Sequence, residues 1–202
     1  TVDAGVGRTQ TGHDGRSRRA TQWRGAVGLL EKYAALGQCI DVWCLRLRVS
    51  AETAGGVDIF AQNGMSIAGQ SYLYSRAGLK LTGGVAIIGA SLIEAESSTV
   101  QLGGGMKMEA NSAWNSPSIS IQAAALEVFS SNIDYETEAT IKLGGDLKLA
   151  QGSQLSGNVL LPSTLEISGR HMTVNSGSRV DSGLGVDISL GGEFGLLNSS
   201  RV

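Results

Sequence analysis

Acidic residues are the first candidates for chemistry in this chain, because paired carboxylates can serve acid/base catalysis or bind metal ions. Glu94/Glu96 and Glu136/Glu138 alternate along predicted strands, so each pair would share one face. Neither pair has a basic or metal-ligating partner nearby, which favours solvated strand faces. The aspartates are scattered and form no Asp-Asp pair: Asp58, Asp134, Asp146, Asp181 and Asp187.

Histidine, cysteine and glycine motifs also give no site. Two histidines, His13 and His171, are too few for a zinc site or a hydrolase triad. Gly144-Gly145-Asp146 does not meet the spacing of the calcium-binding nonapeptide repeat, and no phosphate-binding loop occurs. Cys39 and Cys44 would lie on opposite faces of an extended strand, which favours free or intermolecular thiols over an internal disulfide. The sequence therefore predicts no enzyme and no catalytic, cofactor-binding or metal-binding residue.

The overall composition also argues against several partners. The 202 residues are 17% charged and 5% aromatic, with 29 glycines and a net charge of −2. This charge implies no general affinity for nucleic acid, and no apolar run has the length of a membrane span. Asn198-Ser199-Ser200 is a glycosylation sequon that is usable only in a eukaryotic secretory protein.

Pairs of apolar residues separated by one residue run from about residue 55 to residue 192. This is the period of a strand with one buried face. Successive pairs mostly begin about seven residues apart, which leaves two or three residues for a corner. The predicted inward pairs are Val57/Ile59, Met65/Ile67, Tyr72/Tyr74, Leu79/Leu81, Val85/Ile87, Val100/Leu102, Met106/Met108, Ile119/Ile121, Leu126/Val128, Ile133/Tyr135, Ile141/Leu143, Leu147/Leu149, Leu165/Ile167, Met172/Val174 and Val186/Ile188.

A slower repeat lies over this alternation. The segment from Leu79 to Gly84 (Leu-Lys-Leu-Thr-Gly-Gly) is echoed at Val100, at Ile141 and at Ile188. Three strand-and-corner units therefore make one repeat of about 20 residues, which must stack on its neighbours to bury its apolar face. The sequence predicts an all-β fold, a parallel β-solenoid of about seven turns over residues 38–202.

The first 37 residues differ from the repeat. Residues 1–20 interleave glycine with arginine and predict a flexible basic Gly-rich arm, with docking to an acidic partner as the alternative. Residues 21–37 predict one amphipathic α-helix that begins at Thr21 and stops at Gly37. We expect this helix to cap the open edge of the first turn; binding to a membrane surface is the alternative.

Two segments interrupt the regular spacing. Residues 109–117 predict a longer loop, in which Trp114 packs against the solenoid or is exposed for contact, and packing is the favoured of the two. Residues 157–162 are the second irregularity. Mixed outward residues on the predicted strands, such as Lys80, Gln101 and Glu166, make the regular threonine array of an ice-binding surface a weak interpretation.

The ladder from Val57 to Gly192, most clearly Leu165 to Gly185, resembles right-handed parallel β-helix proteins of cell surfaces and extracellular filaments. It also resembles, more weakly, trimeric β-helix spikes and sarcoglycan-type ectodomains. The first resemblance implies a non-enzymatic structural or adhesive subunit at the cell surface or outside the cell. Its β-solenoids would pack end to end or laterally, with copies of the chain or with other subunits, and glycan contacts are possible. A chain of a trimeric spike and a carbohydrate-active β-helix enzyme are the alternatives.

Overall fold

A computed structural model describes the backbone of residues 41–42, 48–51 and 56–202, and side-chain surroundings from Gly56 onward. The predicted arm at residues 1–20, the predicted helix at residues 21–37, and Cys39 and Cys44 lie outside the described residues. The described residues form about seven turns of a parallel β-solenoid, with a turn of about 21 residues. The predicted fold class is therefore confirmed, and the capping helix remains a prediction.

The solenoid contains sixteen described strands, and every pairing between them is parallel. Their bounds are β1 Asp41–Val42, β2 Arg48–Ala51, β3 Val57–Ile67, β4 Tyr72–Gly89, β5 Leu92–Leu102, β6 Met106–Glu109, β7 Ala113–Ala123, β8 Leu126–Phe129, β9 Asn132–Leu143, β10 Leu147–Ala150, β11 Gln154–Gly157, β12 Thr164–Gly169, β13 Met172–Val174, β14 Arg179–Asp181, β15 Gly185–Leu190 and β16 Phe194–Leu196.

Each turn passes through three faces. In the turn of residues 92–112, face A takes residues 92–95, face B takes 97–102 and face C takes 106–109. Face A continues through β11 and β14, face B through β12 and β15, and face C through β8, β10, β13 and β16. The long strands β3, β4, β5, β7 and β9 bend from one face into the next, and the pairing register shifts at bends in β3, β4 and β7.

The core consists of side chains from successive turns stacked in rows. Each member of these rows is 3% exposed or less, so one narrow apolar column fills the interior. The row of face A is Leu73, Ile93, Trp114, Ile133, Leu155 and Val180; that of face B is Leu81, Val100, Ile121, Ile141 and Ile167; that of face C is Ala86, Met106, Leu126, Leu147 and Met172.

Most predicted inward pairs are buried, but two are placed with the wrong phase. Leu73 points inward instead of Tyr72 and Tyr74, and the Val85/Ile87 pair is 43% and 42% exposed while its alternating neighbours are buried. In these segments both alternating sets contain apolar residues, so the sequence pattern does not settle which set is buried. The predicted repeat takes Leu79 and Val100 as equivalent positions, and this alignment is wrong by two residues. In the structure Val100 pairs with Leu81 rather than Leu79.

The segment at residues 109–117 is not a long loop. The chain turns at residues 110–112 and enters β7 at once, where Trp114 lies in the core and is fully buried. Its indole Nε1 donates a hydrogen bond to Ser98 Oγ at 2.9 Å, which satisfies the buried polar atom. The irregularity predicted at residues 157–162 is confirmed as a longer connection between β11 and β12.

Serines form a ladder at the corner between faces C and A, which the sequence analysis did not predict. Each follows a residue with positive φ and is 4% exposed or less: Ser71, Ser91, Ser112, Ser131, Ser153 and Ser178. The Ser112 hydroxyl donates to the carbonyl of Glu109 at 2.6 Å, and its N–H donates to Ser131 Oγ of the next turn at 3.2 Å. The hydroxyls thus satisfy backbone groups that the tight corner removes from the sheet.

Glycine is required at the corner between faces B and C. Gly83 has φ of +154°, and a Cβ atom there would lie 1.9 Å from the carbonyl oxygen of Ala61. A side chain would therefore force successive turns apart. The Gly-Gly pairs of the sequence repeat mark this corner.

Candidate functional site

Face A gathers acidic residues that are far apart in the sequence. Its outward column contains Glu94, Asn115, Asp134, Ser156 and Asp181 on successive turns. Adjacent members are separated by about the 4.8 Å strand spacing of a sheet. The aspartates that look scattered in the sequence are therefore partly aligned by the fold.

The carboxylates of this column already have partners. Tyr72 Oη donates to Glu94 Oε2 at 2.5 Å, and Ser156 Oγ donates to Asp134. Asp181 forms an ion pair with Arg179, and Arg201 Nε lies 3.9 Å from its other carboxylate oxygen. These contacts give the column a stabilising role along face A, and they leave no adjacent pair of free carboxylates for acid/base catalysis.

The two predicted glutamate pairs do not form sites. Glu94 lies on face A, whereas Glu96 lies at the bend toward face B. Glu138 is on face B and accepts a hydrogen bond from Ser118 Oγ at 3.0 Å, and Glu136 lies at the bend before it. Each pair spans a bend, so its carboxylates do not converge on one point.

The outer surface of face C carries the most varied set of charged and aromatic side chains. Its outward column contains Lys107, Glu127, Lys148 and Thr173 on successive turns. Phe129 lies two residues beyond Glu127, and its ring centroid is 5.6 Å from Lys107 Nζ and 5.2 Å from Lys148 Nζ. Both ammonium groups are within the range of cation–π attraction, so one partly exposed ring is flanked by two lysines.

Lys107 differs from Lys148 in its charge balance. Lys107 Nζ lies 2.6 Å from Glu109 Oε2, and the hydrogen bond and charge of Glu109 raise the pKa of Lys107 above its usual value. Among the described residues, no carboxylate oxygen lies within the 4.0 Å ion-pair distance of Lys148 Nζ. Lys148 is therefore the less compensated cation of the two.

A His–Asp pair borders the same surface at the corner between faces B and C. His171 Nδ1 and Asp146 Oδ1 are 2.9 Å apart, although the two residues are 25 apart in sequence. The backbone brings their turns together: Leu147 N–H donates to His171 O at 2.9 Å, and Arg170 N–H donates to Gly145 O at 2.7 Å. Asp146 thus fixes the orientation of the imidazole.

Gly192 of the next turn leaves the space that this imidazole occupies. A Cβ atom at residue 192 would lie 2.5 Å from His171 Cδ2 and Nε2. The glycine corner therefore has a second effect besides turning the chain, because it leaves room for the Cδ2–Nε2 edge of the ring beside the following turn.

These side chains line an open groove of about 530 Å³ beside face C. Its charged and imidazole-bearing lining residues are Glu127, Asp146, Lys148, Arg170 and His171. A second groove, of about 460 Å³, is lined by Lys107, Glu109, Asn111 and Phe129 among others. We call the surface made by Lys107, Glu127, Phe129, Asp146, Lys148, Arg170 and His171 the face C strip.

His171 and Asp146 look isolated in the sequence, and the sequence pattern predicts no strip of this kind. The available signal was the repeat itself, since Gly144-Gly145-Asp146 and Gly169-Arg170-His171 occupy equivalent corners on adjacent turns. Within the described residues, no group of three or more His, Cys, Asp or Glu side chains is arranged to hold a metal ion. Asn198 of the sequon is exposed, and its Nδ2 donates to Asn175 Oδ1 at 2.6 Å.

Comparisons with known proteins add no functional assignment: no protein-family model, no curated protein and no solved structure matches this chain. In the part of the chain that the structure describes, no helix is long and apolar enough to cross a membrane.

Proposed function

We propose that this chain is a non-enzymatic structural or adhesive subunit of an extracellular or cell-surface assembly, in which β-solenoids pack end to end. The observation that carries the proposal is the distribution of exposed apolar side chains. Eight of the eleven large exposed hydrophobic residues of the described segment belong to its last two turns: Val159, Leu160, Leu161, Leu184, Phe194, Leu196, Leu197 and Val202.

The last described turn exposes the apolar rows of the core. Phe194 and Leu196 are 48% and 45% exposed, whereas Met172 and Val174, which they follow in the same rows, are fully buried. Among the described strands, β15 pairs only with β12 and β16 only with β13. Apolar rows and free backbone groups on the same edge favour the addition of another parallel turn.

An apolar corner adjoins this edge. Val159, Leu160 and Leu161 project from the longer connection, and Leu184 projects from the turn after it. Buried Ser163 holds the two turns together, since its Oγ accepts from Gly183 N–H at 2.7 Å and its carbonyl oxygen accepts from Leu184 N–H at 2.8 Å. The corner is thus a fixed apolar surface beside the open edge.

A second copy of the chain fits this surface, and a further turn of a longer solenoid would fit it in the same way. The edge needs a partner with parallel strands and apolar rows at matching separations, and another solenoid of the same cross-section supplies both. Contact between the last turn of one copy and the first turn of another is heterologous, so it would propagate into a filament rather than close as a dimer. Such contact requires an open first turn, so end-to-end packing and the predicted capping helix at residues 21–37 exclude each other.

Sedimentation velocity over a wide range of protein concentration tests the proposal. We expect assembly that grows with concentration and that Leu196→Glu weakens by at least tenfold, because a buried, unpaired carboxylate is strongly unfavourable. Ile87→Glu is the matched control, since Ile87 is 42% exposed but lies on face C of an early turn. A wild-type chain that stays monomeric at high concentration, or equal behaviour of the two variants, would contradict end-to-end packing.

The trimeric spike, the first alternative, predicts a stable trimer at all concentrations. The packing supports this alternative less. In a trimeric spike three chains would together enclose the core, whereas here the strands of one chain alone bury the core rows from Leu73 to Val180. The carbohydrate-active enzyme, the second alternative, predicts cleavage of a polysaccharide, with the His171–Asp146 pair as its nearest approach to a catalytic arrangement.

A further inference from the structure

The face C strip has two neighbouring parts. An open groove holds Lys148 and Arg170, which have no ion-pair partner among the described residues, together with several hydrogen-bond acceptors. The partly exposed Phe129 lies outside this groove, with its ring centroid 5.2 Å from Lys148 Nζ. We propose that the face C strip binds an acidic glycan, with a sugar carboxylate between Lys148 and Arg170 and a sugar ring against Phe129. This site lies on the side of the solenoid and reaches to one turn below the end surface of the proposed assembly.

The cations provide the first part of the argument. Lys148 and Arg170 line the same groove, and hydrogen bonds between their backbone segments bring their turns together. Neither has a carboxylate oxygen within the 4.0 Å ion-pair distance among the described residues, although Asp146 and Glu127 line that groove. A guanidinium group and an ammonium group on one groove bind a carboxylate by charge-assisted hydrogen bonds.

Phe129 provides the second part. Phe129 is only partly buried, and the Nζ atoms of Lys107 and Lys148 lie over its ring, 5.6 Å and 5.2 Å from the ring centroid. A partly exposed aromatic face next to polar groups suits a ligand with both an apolar side and polar substituents, which describes a sugar ring.

The acidic residues decide between ligand classes. Glu127 and Asp146 alternate with the cations along the strip, so a polymer with a continuous line of phosphates would meet repulsion at regular intervals. A glycan with many hydroxyl groups and isolated carboxylates fits this pattern, because acidic side chains accept hydrogen bonds from hydroxyls. The net charge of −2 also implies no general attraction to polyanions.

His171 completes one border of the groove. Its Nδ1 is fixed by Asp146 at 2.9 Å, and its Cδ2–Nε2 edge lies next to Gly192 of the following turn. The imidazole is therefore held in one orientation at the border of the groove. This pre-organisation reduces the entropy lost on binding.

Calorimetric titration with a short alginate oligosaccharide, a polymer of carboxylated sugars, tests the inference, with a dextran oligosaccharide of equal length as the neutral probe. We expect binding of alginate alone, weakened about tenfold by either Lys148→Gln or Arg170→Gln and lost in the double variant. Lys142→Gln removes an exposed lysine from face B and should leave affinity unchanged.

Three results would overturn the inference: no alginate binding by the wild-type chain, equal loss in Lys142→Gln and Lys148→Gln, or equal binding of dextran and alginate. Thermal melting of each variant separates loss of binding from loss of fold, and the substituted side chains are exposed. Leu196→Glu should bind alginate normally, so failure of end-to-end assembly does not remove this prediction.

Discussion

Removing one hydroxyl from the serine ladder should destabilise the whole solenoid. Ser131 Oγ accepts the N–H of Ser112 at 3.2 Å and donates to the carbonyl of Phe129 at 2.8 Å, and both serines are 2% exposed. In Ser131→Ala, the Ser112 N–H keeps its buried position but loses its acceptor. A buried unsatisfied donor costs about 1–3 kcal/mol of unfolding free energy, which exceeds the usual effect of a surface substitution.

Urea unfolding followed by far-ultraviolet circular dichroism measures this loss. The midpoint should fall while the slope against urea concentration stays constant, because the surface exposed on unfolding is unchanged. For a chain of this size, each kcal/mol should also lower the melting temperature by roughly 2–4 °C.

Ser120→Ala is the matched control, since Ser120 is exposed on face B of the same turn as Ser131. It should change stability by less than about 0.5 kcal/mol. If Ser131→Ala behaved like Ser120→Ala, the ladder would contribute nothing measurable to stability and the reasoning about buried corner groups would be refuted.

Three further outcomes are expected. Leu143→Asp should abolish folding or lower stability by more than about 3 kcal/mol, because it places a charge in the core. Lys142→Asp on the outer face should have little effect. Equal effects of the two substitutions in urea unfolding would contradict the inward assignment of Leu143. Ser98→Ala should cost about 1–3 kcal/mol by leaving Trp114 Nε1 unpaired, measured as a shift of the urea midpoint, and an unchanged midpoint would contradict it. Burial raises the pKa of Tyr135 above the unfolded value near 10. The stability that the neutral phenol contributes is therefore fully present below pH 10 and is lost as the pH rises through the higher folded pKa. Ultraviolet titration of the wild type against Tyr135→Phe measures the pKa of this phenol, and ionisation at the ordinary pKa would contradict the prediction.

The proposed glycan site and the proposed assembly surface use different parts of the repeat. The end surface consists of core rows that lack a following turn, as at Leu196 and Phe194. The face C strip uses outward positions, which packing leaves free to vary from turn to turn. An elongated solenoid can therefore keep a binding surface on its side while its ends are covered.

The sequence by itself determined the architecture. Alternation of apolar residues with period two, together with a repeat near 20 residues, allows few folds other than a stacked parallel solenoid, because one such repeat cannot bury its own apolar face. The inward assignments of Ile141, Leu147 and Met172 follow from the same alternation, because polar residues flank each of them on its strand. No arrangement of neighbours was needed to place these side chains in the core.

The tertiary structure alone decided the phase where both alternating sets are apolar and the identity of the residues that meet on the surface. At Leu73 and Ile88, the rows of adjacent turns select the buried set. The approach of His171 to Asp146 depends on the register of two turns, which is set by the length of every corner between them, including the longer connection after Gly157. One added corner residue would move each following side chain along its strand and reverse its face, so short-range pattern cannot determine contacts between turns.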